Sequence, residues 1–163
     1  RVFSPSRVSV VRAKWSITRP GVPTTMCAPF SSVARWPRSG TPPHSVTTFW
    51  FALEDATLSN GCLWVAPGAH RGPLRQRFVR QGDVVRMDTL DATPWPSGAQ
   101  AQPLEVAAGT LVVFHGLLPH YSAPNRSSQS RYTYTLHVTD GQATYAAHNW
   151  LQRDGRLPLR GFV

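Results

Sequence analysis

Acidic residues are missing from the first third of this 163-residue chain. Seven Lys/Arg and no Asp or Glu occur before Glu54. Asp and Glu make up about half of the roughly 25% charged residues in an average chain, so about six would be expected there. From Glu54 onward ten basic residues face eight acidic ones, so the formal charge of +9 belongs mostly to one segment. A folded domain so nearly balanced, with no helix-turn-helix, RRM or finger pattern, argues against a nucleic-acid partner. Cysteine is scarce as well. Cys27 and Cys62 lie far apart, which excludes a disulfide framework or a zinc–thiolate site and makes a reducing compartment the default. No run of 18 apolar residues occurs, the length a membrane-spanning helix needs, and no membrane role is expected. An initiator Met is absent too, so the chain is expected to be a piece of a longer protein.

Residues 1–44 are rich in Arg, Ser and Pro, with seven prolines by Pro43. Only RVSVVRAKWSI could make a short strand, because proline breaks any longer element. Three readings of this segment stay open: a disordered basic tail, a transit peptide, or text that is not native sequence. In all three, residues 1–40 are expected to bury too little apolar area to offset their ordering entropy.

From Ser45 the composition changes. SVTTFWFAL, CLWVAP, DVVRM, PLEV, TLVVFH and RYTYTLHV are short, β-branched or aromatic runs separated by Gly, Pro or Asn. Several short strands with almost no helical period predict an all-β sandwich or barrel over residues 45–139. In RYTYTLHV the alternation puts Arg131, Thr133, Thr135 and His137 on one face and Tyr132, Tyr134, Leu136 and Val138 on the other. The polar face suits the wall of a wet cavity or an exposed sheet face.

The segment before that strand carries candidate chemistry. His120 is followed by Ser122, Asn125 and then Arg131, eleven residues after the histidine. A neutral imidazole is a common iron or zinc ligand, although a lone histidine is more often a satisfied surface or core residue. A guanidinium grips a carboxylate in two places, and a buried one needs an anion to offset its desolvation. A serine hydroxyl can donate to the same anion. Together they describe a pocket for a metal-chelating dicarboxylate, one end on the metal and the far carboxylate on Arg131.

The order His-x-Ser-x-x-Asn, with Arg eleven residues after the His, resembles the distal motif of the phytanoyl-CoA dioxygenase family. FWFALEDATLSNGCLWVAPGAH resembles that family's middle strand pair, and YTLHVTDGQATYAAHNWLQ its closing segment in the phytanoyl-CoA dioxygenase domain-containing subgroup. The resemblance covers about residues 45–160. It implies a double-stranded β-helix, a jelly-roll or cupin-like barrel whose N-terminal part is incomplete here, in residues 45–163. It also implies Fe(II) as cofactor, 2-oxoglutarate as co-substrate, and hydroxylation of a small-molecule substrate coupled to oxidative decarboxylation of 2-oxoglutarate. Carried over, His120 is the distal iron ligand. Ser122 and Arg131 hold the 5-carboxylate of 2-oxoglutarate, and Trp50 lines the same pocket.

One part of the pattern is missing. The family's His-x-Asp would fall at positions 32 and 34, where Ser32 and Ala34 stand, and no His-x-Asp or His-x-Glu occurs anywhere in the chain. The upstream lysine that the family uses for its co-substrate has no clear counterpart. Family-like text therefore starts where the acid-free segment stops, which favours a non-native N-terminal segment and predicts an inactive chain. The alternative is a jelly-roll binding module that has lost its metal. The C-terminal Arg-Gly-Phe-Val is not a peroxisomal Ser-Lys-Leu signal, which leaves the compartment open, cytoplasmic by default.

Overall fold

The computed structural model describes the backbone of residues 8–18 and 160–161. It describes residues 46–140, 146–149 and 155–156 with their side chains. Ten strands run β1 Val8–Thr18, β2 Thr47–Ala52, β3 Leu63–Val65, β4 Gln76–Gln81, β5 Val84–Thr89, β6 Gln102–Leu104, β7 Leu111–His115, β8 His120–Ser122, β9 Arg131–Asp140 and β10 Arg160–Gly161. Among the described residues the helical content is two single 3-10 turns, Ala69–Arg71 and Gly98–Gln100. The all-β expectation holds, and the resulting fold is a jelly-roll.

The strands form a five-stranded sheet in the order β10-β1-β9-β2-β7 and a three-stranded sheet β6-β3-β8, with β4-β5 as a separate hairpin. Every described pairing is antiparallel. TLVVFH and RYTYTLHV thus flank TTFWFA in one sheet, with Trp50 opposite Val112 on one side and Thr135 on the other. Val8–Thr18 pairs with β9 along its whole length, broken by one irregularity between Val10 and Arg12. At eleven residues that strand is longer than the short one RVSVVRAKWSI permits; its apolar/polar alternation changes phase at Val10–Val11, where the pairing with β9 is irregular. The rest of segment 1–44 lies outside the described residues.

The two larger sheets meet through a small apolar core. Trp50, Ala52, Ala56 and Cys62 are buried together, with Val112 and Phe114 of β7 packed against them. Leu63, Val65 and Leu118 form a second cluster, and Phe114 touches both. On β9 the polar face is the inner one: Arg131 and Thr133 are buried, whereas Tyr132 is exposed. The outer face of this sheet is apolar, with Leu111 and Val113 about half exposed at 45% and 52%. The fold therefore hides the arginine and shows the aliphatic residues.

A turn between β2 and β3 joins the two sheets. Gly61 sits at φ 84° in the left-handed region, and a Cβ there would lie 2.5 Å from the Ala123 carbonyl oxygen. Only glycine lets the chain pass that close to the segment after β8.

Candidate active site

β8 and β9 belong to different sheets and are joined by the loop 123–130, so their near ends face each other. Ser122 ends β8 opposite Leu63, and His120 begins it opposite Val65. Directly paired residues point to the same side of a sheet. His120 and Ser122 therefore share the face of buried Leu63 and Val65, while Tyr121 lies stacked on Trp64. Arg131 opens β9, and its Nη2 lies 3.4 Å from Ser122 Oγ. Its guanidinium carbon sits 5.8 Å from the centroid of the Trp50 ring. Arg131, Ser122 and Trp50 are each less than a tenth exposed.

The chemistry of this trio follows from donor directions. Arg131 donates to the serine oxygen, which leaves the Ser122 O–H to donate onward. The indole face holds the guanidinium plane in place by a cation–π contact. A carboxylate entering there meets a fixed fork and a hydroxyl in a desolvated setting, where charge-assisted hydrogen bonds are strong. Burial pushes the Cys62 thiol above its ordinary range; Glu105 adds to this, and the Arg131 charge opposes it. Cys62 is thus a neutral core residue, not a nucleophile.

His120 lies two residues along β8 from Ser122, about 6.6 Å of strand. That span is comparable to an extended five-carbon diacid. His120 Nδ1 is 2.8 Å from the Leu118 carbonyl oxygen, and a carbonyl can only accept. The proton is therefore on Nδ1 and the lone pair of the neutral ring on Nε2, the arrangement a metal-ligating imidazole needs. Phe114 meets the ring edge-on at 5.1 Å and limits its rotation. His115 is set the opposite way: its Nδ1 accepts the Leu117 N–H at 3.0 Å, so its neutral ring carries the proton on Nε2. It packs against His70 in a tilted arrangement, 5.3 Å between centroids.

Asn125 plays a structural part. Its Nδ2 donates to the Gln129 carbonyl at 2.6 Å, and its Oδ1 accepts from the backbone N–H and hydroxyl of Ser127, both at 2.9 Å. It shapes the loop that lets Ser122 and Arg131 face each other. The interior thus brings together Trp50, Ser122 and Arg131, with His120 one step along the strand. Residues 32 and 34 lie outside the described ones, and among the described residues no three His, Cys, Asp or Glu side chains gather in a way that could hold a metal.

A jelly-roll with an inward arginine–serine pair and a histidine beside it belongs with the non-heme oxygenases in fold. The non-heme alpha-ketoglutarate-dependent carbocyclase SnoK from nogalamycin biosynthesis superposes with a TM-score of 0.64 at 21% identity, over 94% of this chain and 62% of that one. The family model for phytanoyl-CoA dioxygenase (PhyH) matches residues 28–133, and the chain belongs to this family. It is 44% identical over 116 residues to phytanoyl-CoA dioxygenase of Arabidopsis thaliana, covering 69% of this chain and 40% of that protein. It is 40% identical over 117 residues to phytanoyl-CoA dioxygenase domain-containing protein 1 of Bos taurus, covering 70% and 40% respectively. The chain thus spans about 40% of the length of these curated relatives. The family match begins at residue 28, inside the acid-free segment and ahead of the expected start at 45.

Trp50, Ser122 and Arg131 are buried close together and His120 is half-buried beside them, and the residues that support them were not singled out in the sequence. Glu54, Asn60 and Gly61 lie in EDATLSNG, between the strand-like runs SVTTFWFAL and CLWVAP. The available signal was Glu54 itself, the first acidic residue of the chain, placed at the end of a strand.

Proposed function

We propose that this chain is the dicarboxylate-holding part of an Fe(II)/2-oxoglutarate-dependent hydroxylase of the phytanoyl-CoA dioxygenase family, acting on a small-molecule substrate. In this reading Arg131 and Ser122 hold the far carboxylate of 2-oxoglutarate, Trp50 walls the pocket, and His120 is the metal ligand. Residues 45–163 carry the C-terminal part of the jelly-roll. The chain as it stands does not turn over, because Ser32 and Ala34 replace the imidazole and carboxylate that would complete the iron site. The observation that carries the proposal is the buried contact of Arg131 with Ser122 over the Trp50 ring.

What these residues do is bind and orient. Arg131 and Ser122 fix one end of the diacid, and the strand between Ser122 and His120 sets the distance to its other end. The second reading, a binding module without a metal, keeps the same clamp and differs only in whether residues 32 and 34 are native. The coding sequence upstream of Ser45 decides between them: a supported alternative frame with His-x-Asp favours the enzyme, and a clean present frame favours the module.

Metal-free ligand titration followed by ligand-observed NMR tests the clamp. Without a metal the 2-oxo group gains nothing, so 2-oxoglutarate and glutarate should bind alike. 2-Oxobutanoate, which lacks the far carboxylate, should bind about tenfold or more weakly, the effect of one charge-assisted contact. Equal binding of all three acids would remove the clamp from the proposal.

A further inference from the structure

We infer that Glu54 is a positioning residue for Arg131, an inference that rests on reading Arg131 and Ser122 as the dicarboxylate clamp. β2 pairs with β9 as far as Ala52, opposite Thr133, and then turns away before it reaches the level of the arginine. At that point Leu53 N still donates to the Tyr132 carbonyl at 3.0 Å. With the β2 backbone gone, the Glu54 side chain takes its place. Its carboxylate accepts the Tyr132 N–H at 3.0 Å and the Ser130 hydroxyl at 2.9 Å. Both residues flanking Arg131 thus hang on one carboxylate.

The other end of the same turn adds to the hold. Asn60, only 2% exposed, donates from Nδ2 to the Asp55 carbonyl at 2.8 Å and toward that of Ser130 at 3.5 Å. Its Oδ1 accepts the Thr57 N–H at 2.7 Å, which closes the turn on itself. Arg131 is the first residue of β9; Thr18 of β1 pairs with it on one edge, and on the other edge the β2 backbone no longer reaches it. Its guanidinium sits at the tip of a long side chain, so a small shift of its Cα moves the fork off the carboxylate. Glu54 touches no ligand in this scheme; it acts through the backbone on either side of Arg131.

The substitutions Glu54→Ala and Glu54→Gln separate this role from general stability. Alanine removes both acceptors, whereas the glutamine carbonyl can still take the Tyr132 N–H. The readout is the metal-free affinity ratio of glutarate to 2-oxobutanoate by ligand-observed NMR, with hydrogen exchange of residues 123–132 in parallel. Glu54→Ala should weaken glutarate about tenfold and leave 2-oxobutanoate unchanged. Faster exchange should be confined to that loop and the start of β9. Glu54→Gln should stay within about threefold of the parent for both acids. If Glu54→Ala does not fold, Ser130→Ala removes one of the two flanking donors and should weaken glutarate alone by about threefold. Full glutarate affinity in a folded Glu54→Ala or Ser130→Ala protein overturns the positioning role and leaves the clamp standing. A parent chain that does not prefer glutarate overturns the clamp, and this inference with it.

Discussion

Iron(II), ascorbate and 2-oxoglutarate added to this chain should release no succinate above a protein-free control. In the proposed reading His120 supplies one imidazole, and one imidazole does not hold iron against water and buffer. A facial site needs two histidines and a carboxylate, with open positions for co-substrate and oxygen. The sequence provides Ser32 and Ala34 where the resemblance places the other two ligands, and neither binds a divalent metal well. A protein in which a family N-terminal half replaces residues 1–44, bringing His-x-Asp to positions 32 and 34, should gain iron-dependent succinate release. In that protein His120→Ala should abolish iron binding, since it removes one of three ligands. Robust turnover by the present chain would mean that the metal sits elsewhere, with His44, His70 and His115 as the first residues to substitute.

Replacing Gly61 with valine should cost a large share of the stability. The left-handed backbone at φ 84° is a poor conformation for a β-branched residue, at about 1–2 kcal/mol or more. The new Cβ would also lie 2.5 Å from the Ala123 carbonyl oxygen, and backbone cannot swing aside as a flexible side chain does. Overpacking of this kind adds about 1–3 kcal/mol, set against a total of roughly 5–15 kcal/mol for a typical domain. Gly68→Ala is the matched control. Its φ is 79°, but a Cβ there meets nothing within 4 Å, so only the backbone cost of about 1 kcal/mol applies. Thermal melts should show a small shift for Gly68→Ala. Gly61→Val should show a large shift or no cooperative transition. Similar melts for the two would contradict the close approach of the turn to the segment after β8.

Much of this arrangement was legible from the residues, and the exceptions have physical causes. TTFWFA, LVVFH and RYTYTLHV read as strands because β-branched and aromatic residues fill them. QRFVRQ did not, since its polar ends mask a strand paired with β5 in an outlying hairpin. HYS is too short to show any period. The alternation of β9 told which residues share a face but not which face is inside. Ordinary hydrophobic logic chooses Tyr132, Tyr134, Leu136 and Val138 for the interior, yet Tyr132 is exposed and Arg131 and Thr133 are buried. Asn125 looked like part of the chemistry by its place in the motif. Its three short bonds within the loop show that it shapes the turn. Long-range supports such as Glu54 reaching Ser130 and Tyr132 cannot be read from spacing at all, since they depend on the two sheets being folded together.

The most direct measurement is a metal-free titration of glutarate into the parent chain and into Arg131→Met. Methionine fills much of the same volume without a charge, and a thermal melt of each protein shows that both are folded. The expected result is a cooperative melt, which shows a folded protein, together with a loss of glutarate binding of at least about a hundredfold, below detection. Glutarate binding that survives in a folded Arg131→Met protein would contradict the assignment of this interior to a dicarboxylate.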